Sequence, residues 1–571
     1  MHSDLAHWRE THFHDDEHDE HILPIVQAVR ALPIFTANDL GDLLRRHPKP
    51  GGGAFSKHHI VQAYKRLCEA GIIPFERDTL KRLQMKPTRT ISGVAPVTVL
   101  TKPYPCPGKC IFCPTDVRMP KSYLHDEPGA MRAEQNNFDP YAQTANRIRA
   151  FELNGHSAAK VELLILGGTW SSYRRDYQEW FVQRCLDAMN GRDSASLEEA
   201  QRWNENAAHR NVGLVVETRP DHVTWDEIRW LRHLGVTKVQ MGAQSLDDHI
   251  LEINKRGHTV EQTREAVSLL RAAGFKIVLH WMPNLLGATP DSDRADFLKL
   301  WSDPGLRPDE LKIYPCSLLA NAELYDYWQR GEYTPYTDDE LLELVADCLT
   351  KVPRYCRVNR VIRDIPAPNV VAGSKRSNLR QDAERLISER GQKYECLRAR
   401  EVRGATVEAA DLHLETFTYE TRVGVEHFIS FVTSADKVAG FLRLSLPAPT
   451  PALPRREEHS TGEGADSPLL FGAVPNGAQA GVGGEGHLPE IADTAMIREL
   501  HIYGPALSLG DDSSGEAQHL GLGTQLLTEA ERLAGEAGFN KMAVISAIGT
   551  REYYRKRGFE VEGLYMTKRL E

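Results

Sequence analysis

Apolar and polar positions divide the chain into three regions. Up to about Arg89, apolar residues recur at helical spacing in IVQAVRAL, NDLGDLLRRH and HHIVQAYKRLCEAG, with Gly51-Gly52-Gly53 between the second and third. The second region, 90–365, alternates short apolar runs with amphipathic ones. VELLILGG (from Val161), NVGLVVETRP (from Asn211), KVQMGAQS (from Lys238) and KIVLHWMP (from Lys276) predict strands. WDEIRWLRHLG and VEQTREAVSLLRAAG predict helices stopped by Gly235 and Gly274. This alternation predicts a parallel sheet, either a full or partial barrel or a doubly wound sheet, and the barrel class is the preferred reading. Functional residues are then expected at the carboxyl ends of the strands.

From Glu401 the pattern changes to LHLETFTYE, HFISFVT, FLRLSL, IRELHIYG and KMAVISA as strands, with one helix, GTQLLTEAERLAGEAG, between the last two. The tract 447–487 holds eight Gly and six Pro with little periodicity, and reads as a flexible insertion between two strands. The expectation is an α/β multidomain protein. It comprises a helical region (1–89), a barrel domain (90–365), a basic linker (366–400) and a second α/β domain (401–571).

Composition narrows the function. The 571 residues (64.2 kDa) exceed one compact domain. No apolar run suits a membrane span, and the polar, acidic first twenty residues carry no secretion signal, so a cytoplasmic protein is expected. Six of 23 histidines fall in the first 21 residues, which read as a solvated arm with a metal site as the lesser alternative. The net charge of −10 argues against nucleic acid, yet 351–400 holds thirteen Lys and Arg against five acids. That run, with PNVVAGSKRSNLRQ inside it, suits RNA phosphates, and inter-domain ion pairing is the competing reading. Lys57, Lys65 and Arg66 leave RNA contact open for the N-terminal helices.

Nine cysteines are too few for a disulfide scaffold. Cys106, Cys110 and Cys113 stand at C-x3-C-x2-C spacing. A structural zinc wants four ligands, and the next candidate is the distant His125. A cubane iron–sulfur cluster held by three thiols leaves one iron without a protein ligand. The spacing, with Phe112 before the last thiol, resembles the radical S-adenosylmethionine (SAM) enzymes. That resemblance implies a 4Fe-4S cluster on these cysteines, SAM on the open iron, and the Gly167-Gly168-Thr169 turn at the SAM amino group. Glu217 and Gln244 sit where a barrel gathers polar groups, with packing as an equal alternative.

Gln518-His519-Leu520-Gly521-Leu522-Gly523 opens a helix and resembles the Q-x-x-G-x-G loop of GNAT acetyltransferases, whose amides and helix N-terminus bind the pyrophosphate of coenzyme A. In that fold two strands splay for the pantetheine arm, and Tyr553 or Tyr554 is placed near the thioester.

The two motif sets in one chain, with KPYPCPGKCIFCP, PKSYL, NNFDPYAQ, ETRPD, NRVIRDIP and AVISAIGTREYYRKRGF, resemble the Elongator catalytic subunit and its stand-alone bacterial and archaeal relatives. The resemblance implies an acyltransferase that forms 5-carboxymethyluridine at the wobble uridine of tRNA from SAM and acetyl-CoA. A SAM-derived radical takes a hydrogen from the acetyl methyl group, the acetyl carbon joins the base, and thioester hydrolysis leaves the carboxylate. By residue, it implies cluster ligation by Cys106, Cys110 and Cys113, and acetyl-CoA contacts from Lys160, Glu499, Leu500, His501, Ile502, Leu522, Gly523, Thr524 and Tyr554. It also implies an anticodon stem-loop as partner, an electron donor, and a zinc site whose candidates are Cys316, Cys356 and Cys396, with buried structural thiols equally open. A homodimer or accessory subunits are left open. The competing functions are a protein lysine acetyltransferase with a structural cluster and a non-enzymatic RNA scaffold.

Overall fold

Alternating burial along the parallel strands sets the architecture. In β2 (Lys160–Leu166), Val161, Leu163 and Ile165 pack under the helices, whereas Lys160, Glu162, Leu164 and Leu166 face an interior cavity. β1 (Ala95–Leu100) divides the same way, with Ala95, Val97 and Val99 in the core. The computed structural model describes residues 18–448 apart from 404 and 406, together with 488–504 and 521–570.

The first sheet continues through β3 (Arg210–Thr218), β4 (Lys238–Gln244), β5 (Lys276–Trp281), β6 (Glu310–Ile313) and β7 (Arg357–Arg360), parallel and in sequence order. The order is linear, so β1 and β7 are edges and the barrel is a partial one. The helices 225–233 and 260–272 predicted from periodicity pack outside it. The sequence reading named β2 to β5 and missed the shorter β6 and β7 and the Pro-containing β1.

The second sheet runs β13-β14-β12-β11-β10-β9-β8. Its members are β8 (Leu412–Thr421), β9 (Gly424–Thr433), β10 (Val438–Pro447), β11 (Ala495–Ile502), β12 (Lys541–Val544), β13 (Glu560–Glu562) and β14 (Tyr565–Arg569). All five predicted strands are present. β11 and β12 pair in parallel only from Ala495 to Ile497, after which β11 runs on to Ile502 beside β10 while β12 ends at Val544. This is the splay expected of a GNAT domain. Most of the Gly/Pro tract, 449–487, lies outside the described residues, as do 1–17 with most of the early histidines.

The two sheets share one continuous hydrophobic core. Gly274 adopts φ +82°, and a Cβ there would come within 2.8 Å of Met496 on β11, so the helix stop is also the domain contact. At the centre of the junction Asp309, ahead of β6, is fully buried. It accepts hydrogen bonds from Arg498 of β11 at 2.5 and 2.8 Å and from the Ile277 amide at 2.9 Å. Arg443 lies 3.6 Å and Arg271 3.8 Å from the same carboxylate.

A third unit, helices Asp19–Ala31, Ala37–Arg46, Lys57–Glu69 and Arg77–Leu83, has its own core around Ile25, Val26, Ile60 and Tyr64. Lys65 donates to the Glu152 carbonyl (2.9 Å) and Arg66 pairs with Asp19 (2.5 Å), so both cations hold this unit together or dock it.

Candidate active site

The loop after β1 carries the three thiols to the carboxyl ends of the barrel strands. Cys110 is buried, and Arg256 Nη1 donates to its Sγ at 3.5 Å. Cys113 Sγ lies 3.3 Å from Ser122 Oγ, and Cys106 Sγ 3.7 Å from Thr169 Oγ1. Hydrogen bonding with Cys113, then the charges of Arg256 and Arg219, pulls the Cys110 thiol down to about 5 against the opposing effect of burial. Cys113 moves the other way, so this pair favours one thiolate. The environment fits anionic ligands. Arg219 Nη1 and Arg256 Nε are buried without a hydrogen-bond partner, and a Cβ on Gly108 would lie 2.6 Å from Arg219 Nη1. Two buried guanidiniums with open donors against three thiols suit a negatively charged cluster and a carboxylate-bearing ligand. Sequence reasoning missed both arginines; their signal was only a cation beside Asp221 in TRPD and another before Gly257.

At the end of β2, Gly167 and Gly168 both have positive φ (+135° and +97°), but they do different things. A Cβ on Gly167 would sit 2.0 Å from Thr101 Oγ1, so this residue packs β2 against β1, and Gly168 and Thr169 line the cavity. Gly167 is not among the residues that line the cavity, so only its backbone could serve a ligand there. Gln244 adopts φ +69°, unusual for a side chain of its size, and its Oε1 is buried without a partner at the cavity wall. Glu217 reaches Lys312 Nζ (3.4 Å) and accepts from Tyr123 Oη (3.3 Å). Beside them His280 is held neutral, first by burial and then by Lys312.

The opposite pole is built by the second domain. Glu499, Leu500, His501 and Ile502, on the part of β11 beyond the splay, line the cavity with Gly521, Gly523, Thr524, Tyr553 and Tyr554. Leu522 does not: it is buried in the core, so only its backbone could serve a ligand. Gln518, His519 and Leu520 lie outside the described residues. Across from this pole, Lys160 and Arg210 begin β2 and β3 and line the same cavity. Lys160 is lowered below the usual lysine range, first by burial and then by Arg210. Burial holds the His501 imidazole down at about 4, and its Nε2 has no hydrogen-bond partner.

A Cβ on Gly523 would lie 2.5 Å from Tyr553 Oη. Gly523→Ala is therefore expected to displace the Tyr553 ring and, with coenzyme A at this pole as the GNAT resemblance implies, to weaken acetyl-CoA binding roughly tenfold, about 1.4 kcal/mol. Adding Tyr553→Phe, which removes the clashing oxygen, should restore most of the affinity; isothermal titration of the two variants checks this.

One cavity of about 1210 Å³ joins the poles, running from the thiol loop through the barrel to the splayed strands. Its middle is polar, with Glu162, Lys238, Lys276 and Glu310 on the wall. Lys238 bridges Glu162 (2.6 Å) and Glu310 (3.2 Å).

Two further expectations change. The basic run at 351–400 is largely neutralised inside the protein. Arg354 and Arg400 meet Asp436 (2.7 and 2.6 Å), Arg357 meets Glu401 (2.7 Å), Arg363 meets Glu127 (3.0 Å), and Arg390 meets Glu343 and Asp347. Internal ion pairing, reaching the second domain from Arg354, Arg357 and Arg400, is the better reading of those residues. The zinc candidates do not converge. The Val358 amide donates to Cys396 Sγ at 3.2 Å, near Cys356, whereas Cys316 packs with Leu318, Leu324 and Tyr333. Among the described residues no group of three or more His, Cys, Asp or Glu side chains is disposed to hold a metal ion. No helix among them is long and apolar enough to cross a membrane.

Residues 104–300 match the Radical SAM superfamily and 308–388 a Radical_SAM C-terminal domain. The chain is 42% identical to a tRNA uridine(34) acetyltransferase of Dehalococcoides mccartyi, over 85% of this chain and 100% of that one. It is 34% identical to Elongator complex protein 3 of Danio rerio over 90% and 91% of the two chains. Among solved structures, the archaeal Elp3 of Methanocaldococcus infernus with an N-terminal deletion superimposes with a TM-score of 0.69 at 37% identity, covering 84% of this chain and 100% of that one. With this extent of identity over nearly whole chains, the protein belongs to the family of tRNA uridine(34) acetyltransferases and Elongator complex protein 3, acyltransferases of the radical SAM class.

Proposed function

We propose that this protein carboxymethylates the wobble uridine of tRNA, using SAM and acetyl-CoA to form 5-carboxymethyluridine. The observation that carries the reading is the single cavity, which gives the thiol loop and the coenzyme A pole one shared interior. In this reading Cys106, Cys110 and Cys113 hold the 4Fe-4S cluster, and Arg219, Arg256, Gly168, Thr169 and Gln244 surround SAM. Bound and reduced, that pair supplies a primary carbon radical able to break a methyl C–H bond.

The chain's own residues do the rest. The backbone at Gly521, Gly523 and Thr524 receives the pyrophosphate, where amides and a helix N-terminus favour anions. The free length of β11 from Glu499 to Ile502 aligns the pantetheine arm, and Lys160 and Arg210 steer the acyl end into the barrel. Buried walls exclude water from the reacting carbon. Glu217 and Lys312, whose hydrogen-bond donor and acceptor face the same space, orient the base. His501 Nε2, neutral and unpartnered, is left to hydrogen-bond the ligand lying along β11. The domains divide accordingly, with 90–365 for radical generation, 401–571 for coenzyme A, and 366–400 as the linker that ties them.

The test is anaerobic: reconstituted protein with SAM, dithionite, acetyl-CoA and an unmodified tRNA, followed by nucleoside mass spectrometry. 5-Carboxymethyluridine is the expected product. If acetylated lysine accumulates on added protein instead, with no modified uridine, the assignment fails in favour of a protein acetyltransferase.

A further inference from the structure

Two groups of arginines contrast. Those of 351–400 mostly have carboxylate partners. Arg89, Arg132 and Arg147 have none: among the described residues no ion pair or hydrogen bond engages their guanidiniums, and only Arg147 has an aromatic neighbour, Phe151, at 4.5 Å. The three come from separate elements, the turn Pro87–Thr90 and the helices Pro128–Gln135 and Pro140–Leu153, yet all line the reaction cavity. They stand on the β1 side of the open barrel. Arg89 and Arg132 are exposed and Arg147 is half-buried, so the cluster occupies the rim.

Folding three guanidiniums together without a counter-ion is unfavourable. Arg147 is lowered to about 10, first by burial and then by the charges of Arg132 and Arg89. Nearby carboxylates offer no relief. Asp364, whose charge acts on Arg132, already holds Arg360 at 2.6 Å, and Glu127 holds Arg363. A self-repelling cation cluster at the mouth of a deep polar cavity is satisfied by a multivalent anion whose body enters that cavity.

We infer that Arg89, Arg132 and Arg147 grip the phosphodiesters flanking the uridine that enters the barrel. The inference rests on the function proposed above. An enzyme that alters a base within a buried pocket must take it out of the stack, which leaves the flanking phosphates at the rim. Such contacts position the RNA without reading its sequence. In the 351–400 run, which the sequence alone favoured for this role, nine of the ten arginines already have a carboxylate partner.

The experiment titrates the full-length protein with a fluorescent anticodon stem-loop RNA at 50–200 mM KCl. The variants are Arg89→Gln, Arg132→Gln and Arg147→Gln, singly and combined, with Arg390→Gln from the paired population as comparison. Each lost phosphate contact should lower the slope of log Kd against log salt by about 0.7, so the triple variant loses about 2. Arg390→Gln should leave the slope unchanged. Acetyl-CoA affinity should not move, which separates RNA phosphates from those of coenzyme A. The melting temperature of the triple variant should equal or exceed the parent's, because the change removes repulsion. The inference is overturned if the parent binds RNA and the triple variant keeps its slope, if acetyl-CoA affinity falls instead, or if melting drops and RNA is lost only through unfolding. A parent protein that binds no RNA overturns both this inference and the proposed function.

Discussion

Cys110→Ala is expected to abolish uridine modification completely while leaving the protein folded. Three thiols are the minimum for a cubane cluster with one open iron, and the residual pair Cys106 and Cys113 cannot retain it. Cys110 is the buried member of the set and the one held by Arg256, so its loss also removes the partner of an already under-satisfied guanidinium. Iron per chain, measured after anaerobic reconstitution, should fall to the level of the untreated protein, and SAM cleavage should cease. Cys316→Ala is the informative comparison. That thiol packs in an apolar cluster beside Tyr333, and its replacement should cost about 1 kcal/mol of stability with iron content unchanged. Equal iron in the parent and the Cys110 variant would sink the assignment of the loop.

The largest loss of stability is expected from Asp309→Ala. Arg498, Arg443 and Arg271 surround that one buried carboxylate, and Arg498 binds it through both oxygens. Burial raises the carboxyl pKa, but the three guanidiniums outweigh it and hold the group below the usual carboxylate range. Removing it leaves three buried cations with only Glu426 and Glu499 between them, which should cost about 3–5 kcal/mol. Because Asp309 belongs to the barrel and Arg498 to the second sheet, urea unfolding should shift to a lower midpoint and separate into two steps. The pH dependence has a fixed sign. A carboxylate depressed on folding stabilises above its unfolded pKa of about 4, and that contribution disappears as pH falls through the lower folded value. The parent should therefore lose stability on acidification below about pH 4 more steeply than the variant. A single transition at the parent's midpoint would show that the network is not what joins the domains.

Other chemistry follows from the same junction. Glu499 lies one residue from Arg498, pairs with Lys276 and accepts from Arg443 at 2.9 Å. The strand proposed to align acetyl-CoA is thus anchored in the ionic seam between the domains, and a change at Asp309 should reach acetyl-CoA binding through β11.

How far the chain was legible depended on the range of the interactions involved. Local chemistry was readable. The C-x3-C-x2-C loop, the glycine turn after β2, the loop that opens at Gly521 and the periodicity of the long helices all depend on residues close in sequence, so spacing alone exposed them. The barrel strands recovered were β2 to β5, six to nine residues long. β1, with a proline inside it, and the four-residue β6 and β7 become strands only through neighbours already in the sheet, so no local pattern announced them. Charge was misread for a related reason. A run of arginines looks available for RNA in sequence, but Asp436, Glu401, Glu343 and Glu127 arrive from distant segments to neutralise it, whereas three scattered arginines that formed no visible run converge without partners. Zinc spacing failed likewise, since Cys316 is separated in space from Cys356 and Cys396. What the sequence by itself determined is the pair of motifs that carry the family resemblance, because each resides in one contiguous loop. Only the tertiary structure decided that they face one cavity, that Gly167 packs against Thr101 while Gly168 lines the site, and which cations remain unpaired, because those outcomes are set by contacts between residues tens to hundreds of positions apart.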